Sequence, residues 1–130
     1  MTSEEVDAEN HLPTYAVRLT TAARKQTSAA FFWVNDNTGI DATDEWQSGI
    51  NAVWASLATL PYRCPVADEN RFYQKNHPGV SLRVFLYRYK RSTWQILFTI
   101  HEAEDGDQAY VKLHQLRSAA QKPLTKWPDE

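Results

Sequence analysis

With 130 residues, 42% of them hydrophobic and 23% charged, the chain is long enough for one hydrophobic core without staples and suits a single domain. One cysteine, Cys64, excludes an internal disulfide and a cysteine zinc site. The start, Met1-Thr-Ser-Glu-Glu-Val-Asp7, is too acidic and polar for a secretory signal, and no run of about 20 apolar residues exists to span a bilayer.

These features predict a soluble cytoplasmic protein with no disulfide, metal or cofactor. The net charge of −2 hides segregation. Residues 1–14 hold four acids and no Lys or Arg. Residues 62–91 hold Arg63, Arg71, Lys75, Arg83, Arg88, Lys90 and Arg91 against Asp68 and Glu69. Acids return over 102–107, and the stretch from Lys112 to Lys126 is basic. Such blocks can build a positive face on a nearly neutral protein, or they can be solvated loop charges.

Residues 1–13 lack apolar periodicity and read as a flexible acidic tail. Tyr15, Val17 and Leu19 then alternate with Ala16 and Arg18, which predicts a short strand with one buried face. Thr20-Thr21 supplies a helix N-cap. Ala23, Thr27, Ala30, Phe31 and Val34 share one face of a helix over 22–37, stopped by Gly39. A second helix starts at Asp41, with Asp44 and Glu45 placed in its first turn. Its stripe of Trp46, Ile50, Val53, Leu57 and Leu60 is the clearest pattern in the chain, and Pro61 ends it. The short link between the helices predicts an antiparallel hairpin.

Residues 62–79, with Pro65, Pro78 and Gly79, read as a long irregular connection. Three strands follow. They alternate through Leu82, Val84 and Leu86, through Trp94, Ile96, Phe98 and Ile100, and through Val111 and Leu113. Turns at Lys90-Arg91-Ser92 and Glu104–Asp107 join them. Helices grouped together and strands grouped together predict an α+β fold. Its parts are an N-terminal strand, an antiparallel helical hairpin and a three-stranded antiparallel meander. The domain runs over 14–124 and leaves a C-terminal tail at 125–130.

Tyr15-Ala-Val-Arg-Leu-Thr-Thr-Ala-Ala23 is similar to the opening strand and first helix of the RelE/ParE toxin superfamily. Leu57-Ala-Thr-Leu-Pro61 resembles the end of its leucine-rich second helix. Leu82–Leu86 and Trp94–Phe98 resemble its central strands, and Gln115–Leu124 its last strand and closing segment. The resemblance covers about Tyr15 to Leu124. It implies the toxin half of a type II toxin–antitoxin system, a growth inhibitor of the plasmid-stabilisation kind with a cognate antitoxin as partner. RelE-like members cut messenger RNA on the ribosome, whereas ParE-like members inhibit DNA gyrase; fold does not settle which.

The site positions point away from a nuclease. Where the family often carries Arg, Tyr and an Arg-His-Gly run, this chain carries Gln95, Phe98 and Arg117-Ser118-Ala119. Gln brings no charge, Phe no proton, and Ser a proton held too tightly at neutral pH. The expectation is therefore a ParE-like binder. Its binding residues would be Arg83, Tyr87, Arg88, Lys90, Arg91, Arg117 and Lys122, gathered at one end and face of the sheet to hold phosphates or an acidic antitoxin segment. The alternatives are a ribonuclease using Arg83, Arg88, Arg117 and His114, or a degenerate member without toxicity. His11, His77, His101 and His114 show no helical metal spacing. His114 is expected half-exposed on its strand, Cys64 inert in its loop, and Trp127 outside the core.

Overall fold

Thr20 caps its helix as its position predicts: its Oγ1 accepts the Ala23 N–H at 3.0 Å. The computed structural model describes residues 14–128, so the tail expected over 1–13 lies outside the described residues. Strand β1 (Ala16–Leu19) leads into helix α1 (Thr21–Thr38), and helix α2 (Ile40–Thr59) follows after Gly39 alone. Gly39 makes that tight link with φ 87°, a region that costs a residue without a Cβ little. A four-residue helix α3 (Asn70–Tyr73) precedes β2 (Arg83–Tyr89), β3 (Ser92–His101) and β4 (Tyr110–Ser118).

The fold is α+β, with a four-stranded sheet in the order β1-β4-β3-β2. β2, β3 and β4 pair antiparallel in chain order. β1 lies parallel to β4, so the sheet as a whole is mixed and is not a plain meander. A parallel pair needs a long crossover, and here nearly the whole chain separates the two strands. Among the described residues no helix is long and apolar enough to cross a membrane.

The stripe on α2 is buried through Trp46, Ile50, Val53 and Leu57 and packs, with Ala23, Ala30 and Val34 of α1, on Trp94, Ile96, Phe98, Val111, Leu113 and Leu116. The expected fifth member, Leu60, is 58% exposed. The helix has ended by then, and Leu60 has left helical backbone with φ −134° and ψ 56°. Because α2 begins at Ile40, Asp41 is the acid of its first turn. Glu45 instead accepts a hydrogen bond from Tyr89 Oη at 2.7 Å. Gly49 lets α2 approach β2 closely: a Cβ there would overlap the phenol of Tyr87. That phenol donates to Trp46 O at 3.1 Å.

The stretch expected to be irregular over 62–79 is partly ordered. It holds a 3-10 turn at Pro61–Arg63, helix α3, and an antiparallel bridge from Val66 to Arg83. A helix of one turn is too short to show a period, which is why the sequence pattern missed it. This segment covers the far face of the sheet, where Ala67, Tyr73, Leu82 and Leu97 form a second apolar cluster joined by Leu124 and Trp127.

Candidate functional site

A bulge decides what the far face carries. Phe98 pairs with Leu113, but Leu97 pairs with Gln115, so His114 is the extra residue of β4. Its ring turns to the far face and is 1% exposed, a correction to the half-exposed strand histidine expected. Tyr73 and Trp127 wall it in, with ring centroids at 5.2 and 5.9 Å. Tyr73 is itself stacked on His77 at 4.3 Å and meets Trp127 edge-on at 5.2 Å. Trp127 thus helps to anchor the segment after β4 to the sheet.

Thr99, on the same face of β3, places its Oγ1 2.9 Å from His114 Nε2 and 2.7 Å from His101 Nε2. A hydroxyl has one proton to give. At most one of the two imidazoles can therefore accept from Thr99, and at least one must carry a proton on Nε2 and donate to it. His101 lies flat on Tyr110, its cross-strand partner, at 4.6 Å. The Arg18 guanidinium lies over that same ring at 4.2 Å. Two groups so close to one centroid must occupy opposite faces of it. In register, Arg18, Lys112 and Thr99 form one row across β1, β4 and β3. Burial, then the charges of Lys112 and Arg18, hold the His101 imidazole below its ordinary value of 6.5, so it is neutral at pH 7. Arg18 is exposed, and Lys112 and His101 are half-buried. One half of the far face is therefore sealed by aromatics, and the other is open and basic.

The residues singled out in the sequence divide between two faces. Arg83 and Tyr87 share strand parity, but their face is the one beneath the helices. Arg83 donates to Cys64 O at 2.6 Å and to Tyr62 O at 3.4 Å, bracing the connection from α2. Arg88 and Arg117 are on the far face, opposite Thr93 and Gln95 respectively. Arg117 donates to Lys122 O at 2.7 Å and ties down the closing segment. Lys90 and Arg91 form the β2–β3 turn, Lys90 with φ 52°. Arg88, Lys90, Arg91, Arg117 and Lys122 thus belong to the hairpin end of the sheet. The set Arg83, Arg88, Arg117 and His114 does not converge on one point.

The three positions matched to family nuclease residues also part company. Gln95 lies on the far face between Leu86 and Arg117. Phe98 is fully buried on the helix side. Ser118 closes a turn, its N–H donating to Gln121 Oε1 at 2.8 Å. Cys64 is buried, and burial pushes its thiol up against the opposing charges of Arg63 and Arg83, which suits an inert thiol.

A groove of about 900 Å³ runs between α1 and the ends of β3 and β4, lined among others by Gln26, Ala30, Trp33, Arg91, Trp94 and Leu116. Trp33 is 50% exposed there and meets Trp94 edge-on at 6.1 Å. The meeting of Arg18, Lys112, Tyr110 and His101 on the far face escaped sequence reasoning. Only the parity of Thr99 and His101 hinted at it, because the pairing of β1 with β4 is long-range. Comparison with protein families, with curated proteins and with solved structures finds no match for this chain.

Proposed function

We propose that this chain is the toxin half of a type II toxin–antitoxin module of the RelE/ParE kind. It is closer to the ParE-like members, binds an intracellular macromolecule such as DNA gyrase, and is neutralised by a cognate antitoxin. The element order supports this reading: a strand, a helical hairpin, then three antiparallel strands. The observation that carries it is a surface. The outer strand β2 and its turn, residues 83–91, hold Arg83, Arg88, Lys90 and Arg91 and no acid. Past the bridge to Val66, β2 is the sheet's edge, a template for an added strand. Arg91 also lines the groove that exposes Trp33. An acidic amphipathic segment suits both, with apolar side chains on the indoles and carboxylates on the arginines.

Expression from an inducible promoter tests it, with growth, messenger integrity and DNA supercoiling followed together. Arrested growth with intact messenger and altered supercoiling is expected. Codon-specific messenger cuts would transfer the reading to a ribosome-dependent ribonuclease, and normal growth would transfer it to a degenerate member. With a cognate antitoxin in hand, Arg88→Glu and Arg91→Glu should slow association and flatten its salt dependence, since rim charges act mainly on the on-rate. Stopped-flow rates at two ionic strengths check this.

A further inference from the structure

The groove between α1 and the hairpin end of the sheet runs beside an unfinished strand edge. β1 covers the outer edge of β4 only as far as Leu113, and β4 continues to Ser118. Ala119 N–H points toward β3 and bonds Thr93 O at 2.8 Å, so the alternate amides of Leu116 and Ser118 face outward. Each is taken by a glutamine side chain and not by a strand. Leu116 N–H donates to Gln26 Oε1 at 2.7 Å, and Ser118 N–H donates to Gln121 Oε1 at 2.8 Å. Both glutamines line the groove. Two outward donors plugged by side-chain amides are a strand edge that a backbone with its own carbonyls can take over.

We propose that the acidic N-terminal segment of this same chain, residues 1–13, docks in the groove as an added strand. This docking needs the groove alone and is independent of the toxin reading. Charge complementarity names the occupant. The charged side chains along the groove and its continuation toward Tyr89 are Arg91 and Lys90, and no acid lines either part. Residues 1–13 hold Glu4, Glu5, Asp7 and Glu9 and no Lys or Arg. In an extended chain Val6 and Ala8 face one way and Glu5, Asp7 and Glu9 the other. That pattern fits an apolar lining of Ala30, Trp33, Trp94 and Leu116 beside a cationic end.

The chain is long enough. Thr14 stands near the end of β4 where Ala16 pairs with Tyr110. From Tyr110 to Leu116 is about 20 Å along an extended strand. Residues 1–13, fully extended, reach about 45 Å, which leaves several of them for the groove. The tether also lowers the affinity required. A linked segment meets its site at about millimolar effective concentration, so one that binds weakly when separate still fills the groove when attached. A foreign segment must displace it before it can bind there.

The test uses the full chain. Cys64 is buried, so a nitroxide can be attached at Ser3→Cys and its line broadening read by NMR. Broadening is expected at the Trp33 indole and at the Leu116 and Ser118 amides. It should largely vanish in a chain carrying Glu4→Gln, Glu5→Gln, Asp7→Asn and Glu9→Gln, changes that touch none of the described residues. A synthetic peptide of residues 1–13, added to that neutralised chain without the nitroxide, should shift the same signals saturably. Arg91→Glu should weaken the peptide about tenfold, as loss of one charge-assisted contact does, and Lys112→Gln on the far face should leave it unchanged. Broadening confined to another surface, or undiminished in the neutralised chain, would overturn the proposal. So would equal broadening passed from a nitroxide-bearing chain to an isotope-labelled chain without one, which would seat a second copy in the groove. Arrested growth on expression, with no broadening at the groove, would keep the toxin reading and sink this docking.

Discussion

The two faces of the sheet are built from the same strands, residue by residue in alternation, yet they obey different chemistry. The helix face is mostly hydrocarbon and aromatic, with Arg83 on its outer strand, and is closed by two helices whose inner stripes are continuous in the sequence. The far face mixes Leu82 and Leu97 with Thr99, His101, His114 and Lys112, and is closed over only part of its area by α3 and Trp127. A uniform apolar face gains from burial in proportion to its area and has no partners to satisfy. On a mixed face each polar atom covered without a partner costs free energy. Where such partners exist, at Thr99 and His114, the surface is sealed. Where they give way to Arg18 and Lys112, it stays open.

The largest expected effect tests the helix face. Leu57→Ala removes a side chain with no exposed area and should cost about 2–5 kcal/mol. Chemical denaturation reads it directly, and a loss under about 0.5 kcal/mol, usual for surface changes, would mean the hairpin packs by another stripe. Gly49→Ala ranks next. The added methyl meets the Tyr87 phenol and should cost about 1–3 kcal/mol by overpacking. Pairing it with Tyr87→Phe should recover part of the loss if that contact is the cause.

A comparable or smaller cost belongs to the far face. Thr99→Val keeps the shape and takes the hydroxyl from between two imidazoles, leaving His114 buried without that partner, at about 1–3 kcal/mol. In NMR the same variant should shift the ring signals of both His101 and His114, which Thr99 joins, whereas Leu57→Ala should leave them nearer their original positions.

The smallest effects are pH-linked, and one falls on each side of neutrality. The folded state holds His101 below 6.5. The unfolded chain therefore binds more protons as pH falls through 6.5, and stability declines toward acid until the folded group also protonates. Thermal melts between pH 7.5 and 5 should show a decline that His101→Gln reduces. Tyr15 behaves oppositely. Burial, then the Glu102 carboxylate that its hydroxyl bonds, push it up to about 12 from 10.0. Stability should fall as pH rises from about 10 toward 12, and Tyr15→Phe should blunt that fall.

Local chemistry alone determined much of this protein. The Thr20 cap, the stop at Gly39 and the stripe from Trp46 to Leu57 are visible because capping and helical periodicity act over at most four residues. The alternation of β2, β3 and β4 and the grouping of helices before strands gave the α+β class for the same reason. Leu60 shows the limit, since a period cannot say on which residue a helix releases the chain. Tertiary structure alone decided the rest. Strand parity put Arg83 with Tyr87, but only packing revealed that their face lies under the helices. The His114 bulge depends on how β3 and β4 register, which one residue of slip would reverse. Arg18 stands level with Lys112, and over the ring on which His101 is stacked, because β1 lies parallel beside β4, about ninety residues away in the chain, and a contact closed over that distance leaves no periodic trace in either strand.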